Sequence, residues 1–309
     1  MKARFLRAAA LLTALLLAVM LLAVMLPAAA PAEYSMPVAD GDLSVTQGLD
    51  ERYVNILLIG TDTRGDDLAS GRSDTMMICS IDQQGGEIKL TSLARDLWVE
   101  MGDNGHMNKL NAAHTYGGPN LVMQTINRRF DMNISQYISI NFYGVADIVD
   151  ALGGVTIELE KGEAGTINNT ADPGYGTAEI KKIPSGATSA TLCGAQALAY
   201  ARIRKLDNDF GRTNRQRKLL AAMFKKIKSC SMEEMLAFMT TALSYVDTNI
   251  ELLDMMNLAM AILDNGISDI STLSIPSEGH YHYESGDGTS KVIADLEQCT
   301  QELHAFIYN

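Results

Sequence analysis

The feature that most constrains this chain lies at its start. Met1-Lys2-Ala3-Arg4-Phe5-Leu6-Arg7 is basic, and from Ala8 to Ala30 the residues are apolar or small, with Pro27 the only interruption. The 19 residues from Ala8 to Leu26 come close to the roughly 20 that a helix needs to cross a bilayer. Positive charge before the run and none directly after it place the N-terminus inside and the remainder outside. A cleaved signal peptide ending at Ala30-Pro31-Ala32 is the alternative, but the run is longer than the roughly 7–15 apolar residues such a peptide carries. Either way the rest of the chain must fold outside the cytoplasm. The expected organisation is a cytoplasmic basic tip and single transmembrane anchor over residues 1–30, a linker over 31–52 rich in Pro, Ala, Gly, Asp and Ser, and an extracytoplasmic globular domain over 53–309 at the cell membrane.

The composition narrows the partners. The chain is 47% hydrophobic, enough for one large core or two modest ones, and carries a formal net charge of -12. That balance argues against nucleic acid, whose binding depends on widespread neutralisation of phosphates. The four cysteines, Cys79, Cys193, Cys230 and Cys299, include no close pair, so they suggest no zinc site. Disulfides are compatible with export, with three pairings open for four thiols.

Residues 54–59 form an apolar run ending at Gly60, which reads as a buried strand. Residues 61–74 are polar and turn-rich, 75–81 are again strand-like, 82–86 read as a hairpin turn and 87–93 as a third strand. Helical spacing covers 120–130 and 142–152, and Gly153-Gly154 stops the second helix before a strand at 155–159. Residues 162–189 read as a Gly/Thr/Asn-rich surface excursion. Helices are expected at 192–201, 212–227, 232–245 and 252–263, edge strands at 271–275 and 281–284, and a closing helix at 292–307. Strands alternating with helices argue for an α/β sandwich around a mostly central sheet.

Three constellations carry chemistry. Gly60-Thr61-Asp62-Thr63-Arg64-Gly65 and Gly71-Arg72-Ser73-Asp74-Thr75 place Asp62 just past one strand and Asp74 just before the next. Two carboxylates at strand ends suit a hard divalent cation with phosphate oxygens as its other ligands; Arg64 and Arg72 can balance those carboxylates or touch an anion. Ser92-Leu93-Ala94-Arg95-Asp96 ends the third strand, so Arg95 points to the same region, although an ion pair with Asp96 or with a loop carboxylate is an equal reading. Lys109 lies between Asn108 and Asn111 nearby. The third is Arg202-Ile203-Arg204-Lys205 followed by Asp209-Phe210-Gly211-Arg212-Thr213-Asn214-Arg215-Gln216-Arg217-Lys218. Ten of the chain's 25 basic residues fall between Arg202 and Lys228. Arg202 and Arg204 share a face if extended, and Arg212 and Arg215 share one if helical. Arginine's fork suits bidentate capture of phosphate oxygens; a basic helix face drawn to anionic lipid is the alternative.

Taken in order, these blocks resemble the LytR-CpsA-Psr (LCP) family of bacterial cell-envelope enzymes. The resemblance rests on Asn55 to Asp62, Arg72-Ser73-Asp74-Thr75, Ser92 to Asp96, Lys109-Leu110-Asn111-Ala112-Ala113, Tyr116-Gly117-Gly118-Pro119, Asp150 to Val155, Ala197 to Arg204 and Asp209 to Arg217. It covers about residues 54–228. It implies a three-layer α/β/α sandwich with a central mixed sheet, and transfer of a glycopolymer phosphate, of teichoic acid or capsular polysaccharide type, from a polyprenyl-pyrophosphate carrier to peptidoglycan. It further implies that Asp62 and Asp74 hold magnesium, with manganese a possible substitute. Catalysis would fall to Asp62, Asp74 and Arg95. Pyrophosphate would be held by Arg202, Arg204, Arg212, Arg215 and Gln216, with Arg64, Arg72 and Lys109 as secondary contacts, and an apolar tunnel would take the prenyl tail. Two rivals remain at this level: a pyrophosphatase with water as the acceptor, and a non-catalytic envelope regulator or anionic-lipid binder.

Overall fold

The computed structural model describes residues 42–61, 73–85, 87–102, 105–203, 206, 211, 214–216, 218–219, 222–223, 225–226, 245–251, 254, 258, 270–286 and 289–309, with the backbone alone at residues 74, 142 and 143. The expected anchor, together with Asp62, Arg64, Arg72, Arg204 and Arg212, lies outside the described residues. Among those described, no helix is long and apolar enough to cross a membrane.

The centre is built from β1 (Tyr53–Thr61), β2 (Ser73–Asp82), β3 (Ile88–Leu93), β6 (Gln136–Ile140), β9 (Val246–Thr248) and β10 (Ile270–Ile275), in the spatial order β10-β3-β2-β1-β6-β9. The sheet is mixed: β1 pairs antiparallel with β2 and parallel with β6, and β10 runs parallel to β3. Along β1 the side chains alternate between two cores, with Ile56 and Leu58 in one and Leu57 and Ile59 in the other. A strand buried on both faces has no solvent side to make polar, hence the unbroken apolar run in its sequence.

Each face is covered by helices, giving the three layers. Against the first core lie α2 (Phe142–Ala151) through Val145, Ile148 and Val149, and α4 (Gly194–Ala201) through Ala197, Leu198 and Tyr200. Against the second lie α1 (Ala112–Phe130) through Leu121, Val122, Ile126 and Phe130, and α5 (Leu296–Tyr308) through Cys299, Leu303 and Ile307. Each such Leu, Ile or Phe contributes roughly 1.5–3 kcal/mol by leaving water. α2 and α4 approach so closely that a Cβ on Gly194 would sit on the Ala146 carbonyl. The expected stop at Gly153-Gly154 is present, with φ of 73° and 87°. Gly117 and Gly118 take non-helical angles inside α1, so Gly117-Gly118-Pro119 is a turn between two helical pieces.

The structure differs from the sequence reading in several places. The excursion at 162–189 is a loop only in part, because it contains α3 (Glu163–Thr170). The closing helix starts at Leu296, since residues 289–294 are β12 (Thr289–Ala294), paired with β11 (Tyr281–Gly286). Two further small hairpins, β4 (Trp98–Met101) with β5 (His106–Lys109) and β7 (Val155–Glu158) with β8 (Ser189–Leu192), lie outside the central sheet. The expected helices at 232–245 and 252–263 lie almost entirely outside the described residues.

Candidate functional site

The pairing registers bring the first two constellations to one edge of the sheet. Thr61 at the end of β1 faces Ser73 at the start of β2, Met76 faces Leu93 at the end of β3, and Gly60 faces Ile140 at the end of β6. β2 is antiparallel to both β1 and β3, so its beginning meets both their ends. Gly60 pairs with Thr75 and Thr61 with Ser73, which leaves Asp74 as the extra residue of a β-bulge. Bulges are over-represented beside active sites. The bulge therefore puts Asp74 at this edge, while Asp62 lies outside the described residues. Arg95 stands two residues beyond the end of β3.

Hydrogen bonds fix the neighbouring segments to this edge. The Asn111 N–H donates to the Arg95 carbonyl at 3.0 Å, and the Ser73 hydroxyl donates to the Asn111 carbonyl at 3.5 Å. The Leu110 N–H donates to the Leu97 carbonyl at 2.8 Å. The segment from Lys109 to Asn111 is thus stitched to both the Arg95 turn and the start of β2. Asp96 joins the cations: Lys109 Nζ lies 2.9 Å from its Oδ1 and Arg95 Nε 3.5 Å from its Oδ2. Arg95 is mostly buried, with 13% of its side chain exposed. Asp96 thus holds Arg95 and Lys109 side by side at this edge.

The third constellation is described in part. Arg202 is the C-cap of α4, where its backbone N–H donates to the Leu198 and Ala199 carbonyls. Asn214, Arg215 and Gln216 form part of a helical stretch, and Arg215 and Gln216 are each 4% exposed. Arg215 Nε lies 2.5 Å from Oε1 of Glu163, whose side chain is 1% exposed, and an Nη1 hydrogen of Arg215 is donated to the Ile203 carbonyl at 3.2 Å. Beside this pair, burial and then the charge of Glu163 push the Tyr200 phenol far above its ordinary range.

The predicted residues therefore fall into two described groups: Asp74, Arg95 and Lys109 at the sheet edge, and Arg202, Arg215 and Gln216 around the end of α4. Among the described residues no cluster of three or more His, Cys, Asp or Glu side chains forms a metal site; Asp62 and the Asp74 side chain lie outside that set. The Arg95–Asp96 ion pair expected from the sequence is present, and Lys109 joins it. Glu163 was not expected as a partner of the basic residues: it lies 52 residues from Arg215 inside a stretch that reads as loop. Cys79, Cys193 and Cys299 are free thiols, and Cys230 lies outside the described residues.

The chain matches the LytR_cpsA_psr family over residues 29–304. It is 33% identical over 261 residues to the polyisoprenyl-teichoic acid–peptidoglycan teichoic acid transferase TagU of Bacillus mycoides (strain KBAB4), covering 79% of this chain and 79% of that protein. Among solved structures it resembles TagT bound to LIIa-WTA, with a TM-score of 0.66 and 23% identity, over 88% of this chain and 99% of the other. It also resembles the LytR-CPS2A-psr family protein YwtF (TagT) with bound octaprenyl pyrophosphate lipid, with a TM-score of 0.62 and 21% identity over the same shares. At such identities these structures bear on the fold, and they agree with the α/β architecture described above. The length of the family match and the identity to TagU establish that this chain belongs to the LytR-CpsA-Psr family.

Proposed function

We propose that this chain is a transferase that moves a glycopolymer phosphate, of teichoic acid or capsular polysaccharide type, from a polyprenyl-pyrophosphate carrier to peptidoglycan. The observation that carries the reading is the sheet edge, where the Asp74 bulge, the turn bearing Arg95 and the Lys109–Asn111 segment are held together by backbone pairing. The transferase named TagU supports the reaction class, and a relative holding octaprenyl pyrophosphate supports the carrier.

In this reaction a sugar hydroxyl of the acceptor attacks the phosphorus bearing the glycopolymer. The bond to the bridging oxygen breaks, and polyprenyl phosphate leaves. Such a transfer asks mainly for positioning and for neutralisation of charge on phosphate oxygens. Arg95, Arg202, Arg204 and Arg212 supply that charge, with Arg64, Arg72, Lys109 and Gln216 as further contacts. Asp74 or Asp62 accepts the hydroxyl proton. Two carboxylates on facing strand ends also fit a hard cation. Asp62 and Asp74 are the residues that would hold magnesium, or manganese in its place, whose chemistry there is to offset charge on the pyrophosphate oxygens. Residues 1–30 would anchor the protein in the cell membrane with the catalytic domain outside.

The test uses the full-length chain in detergent with a polyprenyl-pyrophosphate-linked glycan and a peptidoglycan fragment. Asp74→Ala and Arg95→Ala are expected to reduce coupling at least 100-fold while the far-ultraviolet spectrum stays native, since one arginine on a leaving phosphate can supply ~10³ or more. Normal coupling by both variants refutes the assignment. Free phosphorylated glycan without coupling would instead identify hydrolysis.

A further inference from the structure

Arg215 belongs to the basic block by sequence, yet its surroundings differ from those of a substrate ligand. Its guanidinium is 4% exposed and lies against a carboxylate that is 1% exposed. Glu163 is itself held: its Oε2 accepts the Glu160 N–H at 2.8 Å, and Glu163 occupies the first turn of α3, where a helix favours negative charge. The neighbouring Glu160 carboxylate is in turn met by Lys218 Nζ at 2.6 Å, one helical turn after Arg215. Turning Arg215 Nε towards a pyrophosphate would leave the buried Glu163 carboxylate without this cation, which is strongly unfavourable. A further bond ties the same side chain to the backbone. Nη1 donates to the carbonyl of Ile203, the residue between Arg202 and Arg204.

We propose that Arg215 and Glu163 act as a positioning pair, in which the buried ion pair between α3 and the helical stretch at 214–216 clamps the Ile203 carbonyl and thereby sets the Arg202-Ile203-Arg204 segment that grips the carrier's pyrophosphate. This rests on the proposed function and removes Arg215 from the set of direct phosphate contacts. Ile203 is 2% exposed, so the segment is held from both its backbone and its side chain. Pinning Ile203 fixes the backbone next to Arg202 before substrate arrives, so the chain need not be ordered on binding, which is how preorganisation raises affinity.

The two roles predict opposite signs for one substitution. If Arg215 contacts pyrophosphate, Glu163→Gln removes a competing carboxylate, and binding strengthens or stays unchanged. If the pair positions, Glu163→Gln loosens the clamp, and binding weakens. The experiment measures octaprenyl pyrophosphate affinity of the full chain in detergent for wild type, Glu163→Gln, Arg215→Gln and the double variant. Measurements are made well below each melting temperature, and the KM values for carrier and peptidoglycan fragment are recorded alongside. The expected result is carrier binding at least 10-fold weaker in Glu163→Gln, with the KM for the peptidoglycan fragment unchanged; a general loss of structure would raise both. The double variant, whose two amides can pair without a buried charge, is expected to bind more tightly than Arg215→Gln alone. Wild-type affinity, or better, in Glu163→Gln overturns the proposal. Should Glu163→Gln not fold, a double variant no tighter than Arg215→Gln overturns it instead. A wild-type chain that neither binds nor turns over the carrier overturns the proposed function itself, and this inference with it.

Discussion

Replacing Asp150 with asparagine tests how far the fold, rather than the site, sets the position of α4. The Asp150 carboxylate accepts three backbone N–H groups: Gly194 at 2.6 Å on Oδ1, and Thr177 at 2.6 Å and Ala178 at 2.9 Å on Oδ2. Gly194 is the first residue of α4, whose leading N–H groups have no partner within the helix. One carboxylate on α2 thus caps α4 and ties down the loop at 177–178. Asparagine keeps one acceptor oxygen and turns an NH2 group against donors, so either the cap or both loop bonds are lost. Hydrogen bonds to a charged group contribute about 1.5–3 kcal/mol each, with the solvent-exposed loop bonds at the low end. The expected destabilisation is about 2–4 kcal/mol, which for a domain of this size lowers Tm by roughly 5–10 °C. Thermal unfolding followed by circular dichroism at pH 7 measures it. Asp172→Asn, which disturbs one exposed bond to the Gly174 N–H at 2.8 Å, serves as the control and is expected to change little. A fall in Tm below about 2 °C for Asp150→Asn would refute the claim that this carboxylate caps α4 from a distance.

Acid should loosen the β2–β3 turn. The Arg52 guanidinium, followed by the Gly85 and Gln84 N–H groups, holds Asp82 down from 3.8 to about 2. A carboxylate whose folded value is depressed adds stability that is fully present above its unfolded value and is lost as pH falls from about 4 towards 2. Allowing for the exposure of Arg52, Asp82→Asn should cost about 1–2 kcal/mol at pH 7 and almost nothing at pH 2, by urea unfolding; a cost independent of pH would contradict this. Cys79 is wholly buried, and burial pushes its thiol up to about 12, so iodoacetamide at pH 8 should leave it unmodified until the chain is denatured. Rapid alkylation of Cys79 in the native protein would contradict the packing. Glu302 accepts from Ser277 and contacts His280, and these partners hold its carboxyl below the usual range. Glu302→Gln should therefore loosen α5 from the 276–280 loop more at pH 7 than at pH 3, measured by hydrogen exchange at Cys299 and Leu303.

The elements that were legible in the sequence are those whose pattern follows from burial alone. β1 and β2 carry the apolar runs Ile56–Ile59 and Met76–Cys79 because both faces of the sheet are covered, β3 mixes apolar with polar residues as Ile-Lys-Leu-Thr-Ser-Leu, and α2 ends where Gly153 and Gly154 take positive φ. The elements that were missed are short and polar. β4 and β5 have four residues each, too few for a period to show, and α3 reads Glu-Ala-Gly-Thr-Ile-Asn-Asn-Thr, poor in strong helix formers. α3 is secured by Ile167, which is fully buried, and by the bond from the Asn168 amide to the Ile183 carbonyl, both tertiary contacts. The site divides in the same way. Residue type and order pointed to Asp74, Arg95 and Arg202, because phosphate chemistry selects arginine and carboxylate and strand ends gather them. That Arg215 is paired inward with Glu163 was not readable, since spacing cannot say which arginine of a basic block faces a distant buried acid.

The mixed sheet explains why the acidic loop and Arg95 belong together. Were β1, β2 and β3 all parallel, the end of β1 and the start of β2 would lie at opposite edges, joined by a crossover of a dozen residues or more. Setting β2 antiparallel puts the end of β1 at Thr61 beside the start of β2 at Ser73, with the bulge at Asp74 between the Gly60 and Thr61 pairings. β3, antiparallel again, returns Arg95 to that edge, and β6, parallel to β1, ends there as well. All six strands have one end at this edge, β10 ending at Ile275 beside Leu93 and β9 beginning at Val246 beside Ile140, and the positions of Asp74 and Arg95 follow from the direction chosen for β2. Arg202 stands at the end of a helix and has no strand register to place it. A segment positioned only by a helix end needs an additional constraint if its charges are to be held for a substrate, and the Glu163–Arg215–Ile203 contact supplies one at the residue between Arg202 and Arg204.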